Sequence, residues 1–174
     1  NAAALNISGG INVAEAITIS GSGVSNNGVI RSTSGNNTLS GQITISAHAE
    51  IQSDANTLTL NVASSSSITA SNINITFDGA GNITVADPIA TGSGTLTKTG
   101  AGTLTLSAAN TYTGATTISN GVLAISNATS LGTTGAATTV ASGAALNVSG
   151  GVTVAEAITI NGTGVSSNGA IRST

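Results

Sequence analysis

Residues 3–33 read AALNISGGINVAEAITISGSGVSNNGVIRST, and residues 144–174 read AALNVSGGVTVAEAITINGTGVSSNGAIRST. The two segments lie 141 residues apart and are identical at 24 of their 31 positions. Similarity at a fixed long period indicates a repeat architecture, in which one structural unit is copied along the chain. We therefore expect residues 1–174 to be one continuous segment with an internal period of 141, cut from a longer tandem array. The alternative is a two-copy protein with a truncated second copy.

A shorter rhythm of apolar–x–apolar triplets runs inside this period, as at Leu5/Ile7 and Leu104/Leu106, with Gly, Asn, Ser and Asp between the triplets. Such alternation is typical of strands buried on one face. Asn-Gly pairs and single glycines favour the positive φ of tight corners. No apolar period of 3.6 residues extends over a useful length. The sequence therefore predicts an all-β fold, a right-handed single-stranded parallel β-helix, or β-solenoid.

Leu104, Leu123 and Leu146 lie 19 and 23 residues apart, which suggests coils of about that length and six or seven coils per period. We expect Ile, Val and Leu to form stacked ladders inside the coils and Thr and Ser to point outward. Asn at the corners should bond neighbouring coils. Tyr112, the only Tyr, should line the core over a corner or coil face. The predicted core positions are Leu104, Leu106, Leu123, Ile125, Leu146, Val148, Ile158, Ile160 and Tyr112.

Charge is scarce, because charged residues make up 5% of the chain and the net charge is −3. The basic residues are Arg31, Lys98 and Arg172. Three isolated cations cannot form a basic patch, so we expect no binding of nucleic acid and no polybasic membrane anchor. The absence of Cys excludes disulfides and thiolate metal sites. No apolar run reaches the length of a membrane-spanning helix.

One pair of charges recurs with the repeat, since Glu15 and Arg31 return as Glu156 and Arg172 with the same separation of 16 residues. In a chain with so few charges, this constancy favours mutual contact within or between coils. The alternative is that both charges were copied together without touching.

The remaining ionisable residues give weak signals for chemistry. Asp78 and Asp87 are the nearest approach to a carboxylate pair, His48 lies near Glu50, and residues 78–82 faintly resemble a calcium-binding nonapeptide without its glycine series. Solvated acids, an exposed histidine and a plain turn explain these features better. We therefore expect no catalytic residue, no cofactor and no metal, and a chain that is not an enzyme.

Residues 94–126 read GTLTKTGAGTLTLSAANTYTGATTISNGVLAIS. The glycine-bounded Thr-Leu-Thr segments, the NTYTG at residues 110–114 and the GVL at residues 121–123 resemble the autotransporter-associated β-strand repeat, also called the passenger-associated transport repeat. Ala108 and Ala115 depart from it, since Gly is common at both positions. The resemblance implies a right-handed β-helix without catalytic residues, in a bacterial type V secretion passenger or a giant surface protein built likewise. It implies an extracellular location at the bacterial outer-membrane surface.

These observations lead to the hypothesis of a structural module in a bacterial surface fibre, stalk or adhesin-like passenger. Its partners would be further copies of the same repeat, in the same chain or stacked head to tail, and a host or cell-surface target of unknown identity. The alternative is a binding module that uses outward Thr and Asn ladders for adhesion or for ice. A polysaccharide-degrading β-helix enzyme is the third alternative, disfavoured because the acids are scattered and aromatic platforms for sugars are lacking.

Overall fold

The structure is a computed structural model that describes residues 3–63 and 65–174. It contains nineteen strands, and the pairings between them are parallel. Two one-turn 3-10 helices lie at Val24–Asn26 and Val165–Ser167, and the described residues include no α-helix. The prediction of an all-β parallel β-solenoid is therefore confirmed.

The chain coils around a central core and presents three faces, here called A, B and C. Faces A and B are stacks of strands, one from each successive turn, whereas face C has strands only in its first turns. Face A consists of β1 (Leu5–Ser8), β4 (Ile30–Ser34), the second part of β6 (Ile43–Ser53), β9 (Ile75–Asp78), β12 (Leu96–Lys98), β14 (Thr116–Ile118), β16 (Ala137–Val140) and β18 (Ala157–Ile160).

Face B follows face A in every turn. It consists of β2 (Asn12–Val13), β5 (Asn37–Leu39), β7 (Thr57–Leu60), β10 (Asn82–Val85), β13 (Thr103–Leu106), β15 (Val122–Ile125), β17 (Ala145–Val148) and β19 (Ile171–Ser173). Leu104 pairs with Leu123, and Leu123 pairs with Leu146. The spacing of these three leucines therefore did measure successive coils.

Face C is shorter as a sheet. It consists of β3 (Ile17–Gly21), the first part of β6, β8 (Ile68–Ala70) and β11 (Ile89–Ala90). The eleven-residue strand β6 crosses the corner between faces C and A, so that one strand pairs with β3 and β8 first and with β4 and β9 afterwards. Beyond β11, irregular backbone continues the stack, because Thr111 N donates to Ile89 O at 3.1 Å and Thr133 N donates to Tyr112 O at 3.0 Å.

The core is built from ladders of inward side chains. The longest ladder on face A has eight rungs, Leu5, Ile30, Ile51, Phe77, Lys98, Ile118, Val140 and Ile160. Its first and last rungs are 37% and 47% exposed, whereas the six rungs between them are no more than 2% exposed. Each of these six side chains is thus covered by the turns on both sides, as expected for a stacked repeat.

The predicted core positions fall along these ladders. Leu104, Leu106, Leu123, Ile125, Leu146 and Tyr112 are buried. Val148 and Ile158 are partly buried and pack against the core cluster. Ile160 is exposed because β18 lies in the last turn described, where nothing covers the ladder.

The two copies of the 31-residue segment keep their local pairing but occupy different faces. Leu5 pairs with Ile30 on face A, and the equivalent Leu146 pairs with Ile171 on face B. The loops match as well, since Gly28 N donates to Ser22 O and Gly169 N donates to Thr163 O, each at 2.9 Å. The 141-residue period therefore spans six turns and one further face, which rotates the second copy by about a third of a turn.

Candidate functional site

Asparagine side chains join neighbouring turns at the corners. The amide oxygens of Asn72, Asn74 and Asn82 each accept a backbone N–H from a residue 21 positions later, at 2.9, 2.9 and 3.0 Å. The donors Ser93 and Thr95 lie between strands, and Thr103 is the first residue of β13. These amides therefore extend the backbone ladder around the corners, as the sequence predicted for asparagine.

Asn37 and Asn110 make the same kind of bond inside the solenoid. Asn37 stands at an inward position of face B, where its amide oxygen accepts the N–H groups of Gly10 and Ile11 at 3.0 Å. Asn110 is 4% exposed, accepts from Ile89 N at 2.8 Å and donates to a carbonyl of the next turn. Alternation of apolar and polar residues does not indicate these two inward amides.

The recurring charges make contacts other than the expected ones. Arg31 forms a salt bridge of 2.7 Å with Asp54, which lies one turn later. Glu15 sits at the corner between faces B and C, away from Arg31. In the second copy, Arg172 Nε donates to Asn147 Oδ1 at 2.9 Å. The predicted Glu15–Arg31 and Glu156–Arg172 pairs are therefore not formed, because each arginine reaches a side chain of an adjacent turn instead.

Glu156 belongs to a polar group at the corner where the irregular backbone of face C meets face A. Thr138 donates its hydroxyl to Glu156, and the Tyr112 hydroxyl lies 2.7 Å from the Thr116 hydroxyl. Burial raises the pKa of Glu156, and the bond from Thr138 opposes the rise. Burial likewise raises the pKa of Tyr112, with an opposing bond to Thr116 and a small further rise from Glu156. Tyr112 is thus a core side chain with a satisfied hydroxyl.

Lys98 is the most unexpected core residue. It occupies a rung between Phe77 and Ile118, is 2% exposed, and donates its ammonium to the backbone oxygen of Gly100. Burial lowers the pKa of Lys98 to about 8, and the carboxylate of Asp78 partly opposes this. The ammonium therefore ties the inside of a strand to the corner that follows it.

The ionisable residues that the sequence suggested for chemistry lie far apart in the fold. His48 is exposed, with Nε2 3.1 Å from Thr76 Oγ1. Asp78 accepts from Gly79 N at 2.7 Å at the corner after face A, whereas Asp87 accepts from Ser67 Oγ at 3.0 Å at the corner after face B. Glycine 79 of the faint calcium motif forms a turn with φ of 106°.

Glu50 is the exception among the acids, because it is 9% exposed and its Oε1 has no hydrogen-bond partner among the described residues. Burial raises the pKa of Glu50, and the carboxylate of Asp78 raises it further. In residues 3–63 and 65–174, no three His, Asp or Glu side chains come close enough together to hold a metal ion.

The outward side of face A carries a continuous threonine ladder. Five successive turns place threonines in direct register, at Thr76, Thr97, Thr117, Thr139 and Thr159. The neighbouring outward column does not keep this regularity, since it contains Asn74, Thr95, Ala115, Ala137 and Ala157. The ladder is therefore one residue wide.

The turns around β12 to β15 contain the residues that distinguish this solenoid from a simple apolar ladder. A family model described as passenger-associated-transport-repeat matches residues 96–125. Residues 96–125 are therefore similar to a passenger-associated transport repeat. No curated protein and no solved structure is significantly similar to the chain. In addition, no helix of the described residues is long and apolar enough to cross a membrane.

The passenger-associated transport repeat covers four strands, two on face A and two on face B. Its inward polar side chains are Lys98, Asn110 and Thr116, and Tyr112 is its inward aromatic. Each of them bonds a backbone or side-chain group at a corner or in an adjacent turn. These four inward side chains thus connect parts of the coil from within the core.

Proposed function

We propose that this chain is an architectural module of a bacterial extracellular protein, exported as an autotransporter passenger and serving as a rigid stalk or spacer at the outer-membrane surface. The observation that carries the proposal is the unbroken face A ladder from Leu5 to Ile160, with the passenger-associated transport repeat inside it. The distinctive inward residues of that repeat, Lys98, Asn110 and Tyr112, form hydrogen bonds within the solenoid, as expected for a structural scaffold.

The geometry suits a spacer. Parallel strands stack at about 4.8 Å, so each 141-residue period adds roughly 30 Å of length. In a solenoid each turn contacts only its neighbours, so length increases with copy number without a change in the core. Export would also suit a chain without cysteine, because it needs no disulfide to hold the coil together.

The experiment is surface display of the full chain. It is placed between a secretion signal with an N-terminal epitope and an outer-membrane translocation barrel. We expect the epitope at the cell surface and residues 3–174 to resist protease there. The matched control is Leu104→Asp, which should not fold and should lose protease resistance. Retention of the unchanged chain inside the cell, or its rapid surface cleavage, would contradict the proposal.

The threonine ladder supports a second candidate, a binding face that orders water or ice. Five hydroxyls in register form a regular row, although the row lacks a second regular column. The test is thermal hysteresis of the chain, with Thr117→Lys as the variant and Thr44→Lys on face C as its control. Activity that Thr117→Lys abolishes and Thr44→Lys leaves unchanged would favour this candidate over the spacer, and no activity would remove it.

A further inference from the structure

The two ends of the solenoid expose the apolar groups that every interior turn covers. The large apolar side chains that are exposed in the described residues are Leu5, Ile11, Val24, Ile160 and Ile171. All lie in the outermost turns or in the loop between the first two turns. Leu5 and Ile160 are the terminal rungs of one ladder, and Ile171 continues the face B ladder beyond Leu146. Each end is also a row of unpaired strand edges.

The repeat reveals which sequence fits the C-terminal edge. Strands β18 and β19, which form that edge, have the sequences of β3 and β4. In the first copy, β3 and β4 are covered by one strand, β6. There Ile17 pairs with Ile43, and Ile30 pairs with Ile51. The pairing of β6 with β3 and β4 therefore shows how a following strand covers this edge.

The N-terminal edge has a matching example. Strand β1 is the equivalent of β17, with Ile7 in place of Val148, and β17 pairs with β15 through Leu146 and Leu123. Strand β3 has the sequence of β18, which rests on β16. The sequence that fits below the first turn is therefore the one that precedes the second copy. Each edge therefore has an equivalent inside the chain whose pairing partner and register are known.

We propose that the edge formed by β18 and β19 is a pairing site for a segment with the sequence of residues 34–63, presented by a following tandem copy of the repeat. This inference rests on the proposed architectural role and specifies its partner. Ile158 pairs with the segment's equivalent of Ile43, and Ile171 pairs with its equivalent of Ile51. The pairing adds one turn and covers Ile160 and Ile171.

Charge complementarity agrees with this register. In the first copy Arg31 binds Asp54, which lies directly after β6. Arg172 is the equivalent arginine and now donates to Asn147. The incoming segment brings the equivalent of Asp54 beside Arg172. The arginine then gains a carboxylate partner in a chain where only three basic side chains exist.

The test lengthens the full chain after Thr174 by a second copy of residues 34–63 and uses cysteine pairs. The natural chain has no cysteine, so an engineered pair gives an unambiguous disulfide. Thr159→Cys is combined with Thr44→Cys in the added segment, which the proposed register places opposite each other. Adjacent strands are about 4.8 Å apart, within the Cα separation that a disulfide spans. We expect this pair to close within one chain, on the order of tenfold faster than a mismatched pair.

Two controls make the result decisive. Thr18→Cys with Thr44→Cys in the original segment is the positive control, because those residues pair in the structure. Thr159→Cys with Gln52→Cys in the added segment is the mismatched pair. If the positive control closes while the Thr159 pair closes no faster than the mismatched pair, the proposal is overturned. Disulfides between separate chains at low concentration would also overturn it, since they assign the edge to another molecule. Neither result changes the display experiment, so the two proposals fail separately.

Discussion

Replacing the buried ammonium of Lys98 should make the solenoid more stable at neutral pH. The side chain is 2% exposed on an apolar rung, and burial lowers its pKa from 10.5 to about 8. Lys98→Met keeps a long unbranched side chain on that rung and removes the charge. A pKa lowered by about 2.5 units corresponds to a cost of about 3 kcal/mol for the charged form. Loss of the hydrogen bond to Gly100 O lowers the free energy of unfolding by about 1 kcal/mol. We therefore expect Lys98→Met to raise the free energy of unfolding by about 2 kcal/mol in total.

The pH dependence distinguishes this cause from better packing. Between the folded pKa of about 8 and the unfolded value of 10.5, the unfolded chain holds the proton and the folded chain does not. The free energy of unfolding therefore rises with pH in this window, by about 2 kcal/mol from pH 7 to pH 9.5. Lys98→Met should show no such rise. Urea unfolding at several pH values up to 9.5 measures both, and Tyr112→Phe controls for phenol ionisation. Equal pH slopes in the parent and Lys98→Met would refute the reasoning.

Three further predictions concern stability, each measured by urea or thermal unfolding. Leu104→Asp should lower the free energy of unfolding by about 3 kcal/mol or more because it buries a charge. Ile160→Asp, at the exposed end of its ladder, should lower it by less than about 1 kcal/mol. Equal losses would contradict the ladder assignment. Gly79→Ala would place a Cβ 1.8 Å from a carbonyl of the preceding turn and should be far more damaging than Gly143→Ala, which meets no atom within 4 Å. Asn110→Ala should cost about 2 to 3 kcal/mol, since it strands buried backbone groups on both sides, and a loss below about 0.5 kcal/mol would count against that role.

The sequence predicts the ladders well, because alternation and spacing are direct consequences of strand geometry. The register of Leu104, Leu123 and Leu146 follows from coils of about equal length. The partner of Arg31 could have been found by the same reasoning, since Asp54 lies 23 residues later, which is one coil. The inward placement of Lys98 could not have been predicted, because the equivalent position of other apolar–x–apolar triplets is apolar. The charge is accommodated there by the backbone oxygen of Gly100, which lies at the following corner.

The rotation of the second copy also could not be predicted from the sequence. The period of 141 is known from the repeat, but the number of turns depends on how many residues each corner takes. Those numbers vary, since some turns hold a loop such as residues 22–28 and others hold a three-residue corner. Only the pairing of β17 with β15 and β19 shows that the copy begins one face later than β1 did.

That offset sets how a tandem array would present its loops to its surroundings. The loop of the first copy, residues 22–28, leaves the solenoid between faces C and A, and its equivalent, residues 163–169, leaves between faces A and B. A third copy would place the loop between faces B and C, and a fourth would return to the first direction. The same loop would then line the fibre in three longitudinal rows, with a spacing of about 90 Å within each row. A flat cell surface or a rigid multivalent receptor on one side would meet every third copy, whatever the orientation of the fibre about its own axis.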